Sequence, residues 1–257
     1  MRLENRVILI CGHLGPVERR IALNFSQHGA QIMIASSDAE AGAALQTELD
    51  ARGASATFME YDGANESSIQ ALVGDAVMTY GALDGLINSG LPAPAGDALE
   101  VDGSAWDRAF DRQVRGAWLA ARAALPFLKP SKGATILNLA RTDALQTQAQ
   151  SMLAAATSGA LDAMTRSMAI DFGPLDIRVN TLLIGYIETD ETRRTLSASP
   201  ESEFHRLMAV HPLGRLGRPS DVANAALFLM GSESSFITGA TLIVDGGRSI
   251  VSQNLYI

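Results

Sequence analysis

Short apolar runs alternate with longer segments of helical period from one end of the chain to the other. The runs are Val7–Cys11, Gln31–Ala35, Thr57–Tyr61, Leu83–Asn88, Ala134–Leu139, Ile177–Leu183 and Thr241–Asp245. They are nearly continuous rather than alternating, which predicts strands buried on both faces of a parallel sheet. Between them the spacing predicts helices over Val17–Gln27, Asp38–Ala51, Asn65–Thr79, Trp106–Lys129, Met152–Phe172 and Ser220–Met230. Gly29, Gly53 and Gly81 follow three of these as C-cap glycines, and Asp38, Asn65 and Ser220 open others as N-caps. Strand and helix in strict alternation predict a single-domain α/β fold. It is a Rossmann-type, doubly wound parallel sheet of about seven strands with helices on both faces. The long irregular stretch 186–219 reads as a substrate loop or lid with some helix of its own, and 248–257 as a C-terminal tail.

Composition narrows the function classes. The 257 residues suit one domain spanning 1–257. A net charge of −8 argues against nucleic acid or an anionic membrane surface as partner. No run of about 18 apolar residues is present, so no transmembrane helix is expected, and the predicted location is the cytoplasm. One cysteine, Cys11, supports no disulfide framework. The histidines His13, His28, His205 and His211 have no metal-ligand spacing, so no metal site is expected.

Several longer motifs carry a resemblance. "DAMTRSMAIDFGPLDIRVNTLLIGYIET" and "HPLGRLGRPSDVANAALFLMGSESSFITGATLIVDGG" look like the 3-oxoacyl-reductase branch of the short-chain dehydrogenase/reductase family. "LDGLINSG" resembles the family's N-N-A-G segment, which places Asn88 and Gly90 as remnants of a cofactor site. The resemblance also places Asp62 at the usual adenine contact and Thr189 at the usual nicotinamide contact.

At the chemistry-bearing positions the chain departs from the family. The phosphate loop T-G-x-x-x-G-x-G becomes Cys11, Gly12, Pro16 and Glu18, with only Gly12 matching. Pro16 offers no N–H, and Glu18 sets a carboxylate where the helix N-terminus would face a pyrophosphate. Two unit charges about 4 Å apart repel by roughly 4 kcal/mol at an effective dielectric of about 20, and that is about three decades of affinity. The catalytic Asn, Ser, Tyr and Lys of the family correspond to Gln113, Arg141, Ala154 and Ser158, and no Tyr-x-x-x-Lys occurs anywhere.

These departures predict a chain that binds no cofactor and has no standard catalytic residue. The resemblance then implies a non-catalytic subunit paired with an active paralogue of the same fold. The pair would be a hetero-dimer or tetramer, with NAD or NADP held by the partner, as in heteromeric hydroxyacyl-CoA dehydrogenases with one degenerate subunit. Its seam would be the helices Trp106–Lys129 and Met152–Phe172, and its tail, ending in Leu255, Tyr256 and Ile257, would dock on the neighbour. The alternative is an active NAD(P)-dependent oxidoreductase, or an enzyme of altered chemistry with Arg141, Asp143 or Tyr186 recruited. For Arg141 and Asp143 the plainer expectation is a salt bridge filling a vacated pocket. Cys11 is expected to be a small core residue, and His13 a solvated loop residue.

Overall fold

A computed structural model describes residues 1–90, 93–190, 192–194 and 207–251. The strands are β1 (Val7–Gly12), β2 (Gln31–Ser36), β3 (Ala56–Glu60), β4 (Gly85–Ser89), β5 (Ala134–Arg141), β6 (Ile177–Ile184) and β7 (Thr241–Val244). They form one sheet in the order β3-β2-β1-β4-β5-β6-β7, and every pairing is parallel. The helices are α1 (Pro16–Gln27), α2 (Ala39–Ala51), α3 (Glu66–Tyr80), α4 (Gly103–Phe110), α5 (Gly116–Leu128), α6 (Met152–Phe172) and α7 (Pro219–Met230).

Two-sided burial explains the continuous apolar runs. Ile8 and Ile10 of β1 join Ile32 and Ile34 of β2 under α1, α2 and α7, where Phe25, Leu49 and Met230 pack. Val7, Leu9 and Cys11 point the other way, with Met33 and Ala35, under α3, α5 and α6. The strand period of two thus feeds two helix layers from one sequence. Strand order reverses between β1 and β4, so the carboxyl ends of these strands and of β5 and β6 frame the crevice where doubly wound folds bind ligands.

Capping follows the sequence at most ends. Asp38 accepts the N–H of Ala41, and Asn65 accepts that of Ser68. Gly29, Gly53 and Gly81 all have positive φ, as chain reversal after a helix requires. Two expectations are corrected. The last long helix starts at Pro219 with Arg218 as N-cap, not Ser220. Proline suits the first helical position, and the carboxylate of Asp221 returns to the Arg218 N–H at 2.7 Å. The single helix expected over 106–129 is two helices, α4 and α5. They are joined by a wider turn over Asp111–Arg115 in which the Gly116 N–H bonds the Asp111 carbonyl.

No described helix is long and apolar enough to cross a membrane. Part of the expected lid, Glu191 and residues 195–206 with His205 among them, and the tail beyond Val251 with Leu255, Tyr256 and Ile257, lie outside the described residues.

Candidate active site

The carboxyl end of β1 is closed by the chain's own groups. Gly12 has φ +120° and lies so close to β4 that a Cβ there would stand 1.7 Å from the Ser89 carbonyl oxygen, so only glycine fits. The His13 N–H then bonds that same carbonyl at 2.8 Å. His13 is thus tied by its backbone, with a partly exposed side chain. Glu18, in the first turn of α1, is 5 % exposed. Its carboxylate accepts the Ser89 hydroxyl at 2.5 Å and the Gly15 N–H at 2.9 Å. This is the acidic half of a capping box, and the carboxylate stands at the positive end of the helix dipole. Pro16 begins the helix and has no N–H.

A nicotinamide dinucleotide would place its pyrophosphate at this turn, where Pro16 offers no N–H and the Glu18 carboxylate stands. Two groups that could donate to a phosphate, the Gly15 N–H and the Ser89 hydroxyl, already serve Glu18. Beside the turn, Gly12, Ser37, Tyr61, Asp62, Ser89 and Arg112 line a small open pocket. Asp62 lines it, but its carboxylate is committed to the Ala64 N–H at 3.0 Å.

Beneath this end runs a directed chain of buried donors. The Cys11 thiol donates to the Asn88 Oδ1 at 3.3 Å, and the Asn88 amide to the Asn138 Oδ1 at 2.8 Å. The Asn138 amide donates to the Thr165 hydroxyl, which donates to the Leu161 carbonyl. Asn88 is therefore a fully committed interior group. Burial pushes the Cys11 thiol up to about 12, with a hydrogen bond to Tyr61 opposing it. The Tyr61 phenol is also raised, by burial first and by Cys11 next. Neither is an acid or base for neutral pH, and Cys11 is the small core residue expected at that strand end.

The four positions of the expected catalytic set do come together, around the ends of β5 and α6. Gln113, in the wide turn before α5, accepts the Thr157 hydroxyl at 2.8 Å, and its stem packs against Gly90. Ser158 accepts the Arg141 N–H at 3.1 Å. Ala154 is buried one helical turn before Ser158. At the end of β5 the Arg141 Nε donates to the Asp143 Oδ2 at 2.8 Å, the ion pair expected there. Thr189 is tied into a local turn, exchanging bonds with Thr192.

Four residues at this end, Tyr186, Gln148, Arg248 and His211, carried no sequence signal as a group. The Tyr186 hydroxyl donates to the Gln148 Oε1 at 2.5 Å. The Arg248 guanidinium lies over the Tyr186 ring, 4.8 Å from its centre. The buried His211 ring stands edge-on to it at 6.1 Å, with its Nδ1 2.6 Å from the Leu207 carbonyl oxygen. Arg141 pairs in register with Ile184, so Tyr186 follows directly on the neighbouring strand end. No group of three or more potential metal ligands occurs among the described residues.

A family-wide profile described as Enoyl-(Acyl carrier protein) reductase matches residues 18–249. The chain is 33 % identical to a 2-(S)-hydroxypropyl-CoM dehydrogenase of Xanthobacter autotrophicus, over 97 % of this chain and 99 % of the relative. It is 32 % identical to a (2S)-[(R)-hydroxy(phenyl)methyl]succinyl-CoA dehydrogenase subunit of Thauera aromatica, over 97 % and 99 %. Among solved structures, a short-chain type dehydrogenase/reductase from Mycobacterium ulcerans superimposes with a TM-score of 0.90 at 26 % identity, covering 97 % of this chain and 92 % of that one. End-to-end relatedness to named dehydrogenases overturns the expectation of a non-catalytic subunit. That expectation rested on four substituted positions and one turn, and it took the absence of one proton-handling set for the absence of any.

Proposed function

Because the chain belongs to the short-chain dehydrogenase/reductase family, a family of oxidoreductases, we propose that it is an enzyme of altered chemistry with a non-standard site. That site lies at the carboxyl ends of β5 and β6. The reading takes the substrate to be a hydroxy or oxo compound, the class named for the dehydrogenases it resembles. The single observation that carries it is the Tyr186 hydroxyl, held by Gln148 beneath the Arg248 guanidinium, two residues beyond the Ile184 that pairs with Arg141. A phenol so placed holds and returns a proton at its Oη as a substrate oxygen gains or loses charge, and the two arginines stabilise that charge. As part of the same proposal, the β1 turn in its present arrangement takes no dinucleotide, because Glu18 occupies it.

The test is turnover of a panel of short hydroxy and oxo acids by the purified chain, followed by product mass. It is run with and without NAD(H) or NADP(H), alone and mixed with an intact family member, since one relative is named as a subunit. Tyr186→Phe should lower turnover by about 100-fold or more, the usual worth of general acid–base help. No turnover under any condition, or a Phe variant as fast as the parent, contradicts the reading.

A further inference from the structure

The Arg141 side chain is anchored from one side only. Its Nε donates to Asp143, whose carboxylate is 7 % exposed, while the arginine side chain itself is 49 % exposed. Its backbone is fixed independently, by the ladder to β6 and by the N–H bond to Ser158. Among the described residues no acceptor meets either terminal nitrogen, Nη1 or Nη2. A buried carboxylate thus holds the guanidinium in one orientation and leaves its outer edge unused. That edge is two parallel N–H donors at the spacing of a carboxylate's two oxygens.

The surroundings favour an anion there. The chain carries a net charge of −8, yet this strand end presents Arg141 and, over Tyr186, Arg248. A cation held at one place on an acidic body draws an anionic ligand there. Arg215, by contrast, spends both terminal nitrogens on the two oxygens of Asp221. Arg141 reaches one oxygen with its inner nitrogen.

We propose that Arg141 is a binding residue for a substrate carboxylate, with Asp143 as the positioning residue that aims it. The ligand class is therefore a hydroxy or oxo acid rather than a neutral alcohol. This deepens the proposed function and rests on it for the word substrate, but carboxylate binding itself is measured without turnover.

The probe is succinate, with succinamide as its neutral counterpart, titrated calorimetrically into the full chain at low and at 0.5 M salt. Succinate should bind, more weakly at high salt, and succinamide should not. Arg141→Gln should weaken succinate at least about 10-fold, the loss of a charge-assisted pair. Arg141→Lys keeps a charge beside Asp143, so it folds even where the Gln variant does not, and it should fall between the two. Asp143→Asn should weaken succinate several-fold while leaving the indifference to succinamide unchanged. Equal succinate affinity in parent and Arg141→Gln, equal affinity for succinate and succinamide, or no succinate binding, overturns the proposal. Succinate binding without any turnover leaves this proposal standing and removes the proposed function. Turnover of neutral alcohols with no Arg141 dependence does the reverse.

Discussion

The two ends of the crevice are built on opposite plans. At the β1 end four donors are spent inside the chain: the Gly15 N–H and Ser89 hydroxyl on Glu18, the His13 N–H on Ser89, the Cys11 thiol on Asn88. At the β5–β6 end the cations are braced from one side, Arg141 by Asp143 with half its side chain exposed and Arg248 by the Tyr186 ring. The difference comes from two residues. A glutamate in the first turn of α1 supplies the anion that its helix terminus and nearby hydroxyl would otherwise seek from a ligand. An arginine at the end of β5 supplies a guanidinium that Asp143 meets at Nε alone. On the proposed function, the first end serves the structure and the second serves recognition.

That contrast can be broken hardest at Gly12. Gly12→Ala forces a Cβ into the Ser89 carbonyl and a non-glycine residue to φ +120°. It should cost on the order of 3–5 kcal/mol, read as a shift in urea midpoint. A cost below about 1 kcal/mol would mean that this end is not rigid.

Glu18→Ala comes next. It removes a cap and leaves the Ser89 hydroxyl without its acceptor, and should cost about 1–2 kcal/mol in the same measurement. NAD affinity should improve only slightly, because Pro16 still lacks an N–H and no lysine follows at Ser158. Restoration of tight NAD binding by this change alone would show Glu18 to be a simple plug.

A third test uses pH. The folded thiol of Cys11 is raised to about 12, against about 8.5 in the unfolded chain. Ionisation then favours the unfolded state. The stability from the neutral thiol is complete below pH about 8.5 and is lost, at about 1.4 kcal/mol per pH unit, on the way up to the folded value. Cys11→Ala should flatten that alkaline limb without altering the slope below pH 8 or so. Parallel curves for the two proteins would place the alkaline sensitivity elsewhere, Tyr61 first.

The smallest effect is expected at the open end. Arg248→Ala removes the cation over Tyr186 and should cost only about 0.5–1 kcal/mol of stability, consistent with a group that is braced and not embedded. A loss as large as that at Gly12 would make this end structural too.

Much of the frame was legible in the residues. The seven apolar runs located the seven strands within a residue or two, because burial on both faces leaves no polar alternation to confuse the period. Asp38 and Asn65 were readable as caps because a cap is a local bond between neighbours in sequence. The wide turn at Asp111–Arg115 was not. Its apolar spacing runs on unbroken from Trp106, and only the hydrogen-bond register differs. Ser220 misled because a serine beside a proline suits two registers, and Pro219 decides between them. In the site, Glu18 was visible as a misfit to phosphate. Its positive role could be read only once Ser89, seventy-one residues away, lay beside it. Tyr186, Gln148 and Arg248 are likewise brought together by strand order. Counting missing motif residues therefore pointed to an inactive chain, while the groups that could replace them were scattered along it.

The most direct measurement is a crystal structure of the full chain grown with saturating succinate and NAD together. The account predicts succinate paired to the Nη1 and Nη2 of Arg141, with Glu18 still bonded to Ser89 and Gly15 and no dinucleotide at the β1 turn. A dinucleotide seated there with Glu18 displaced, and Arg141 without an anion, would contradict it.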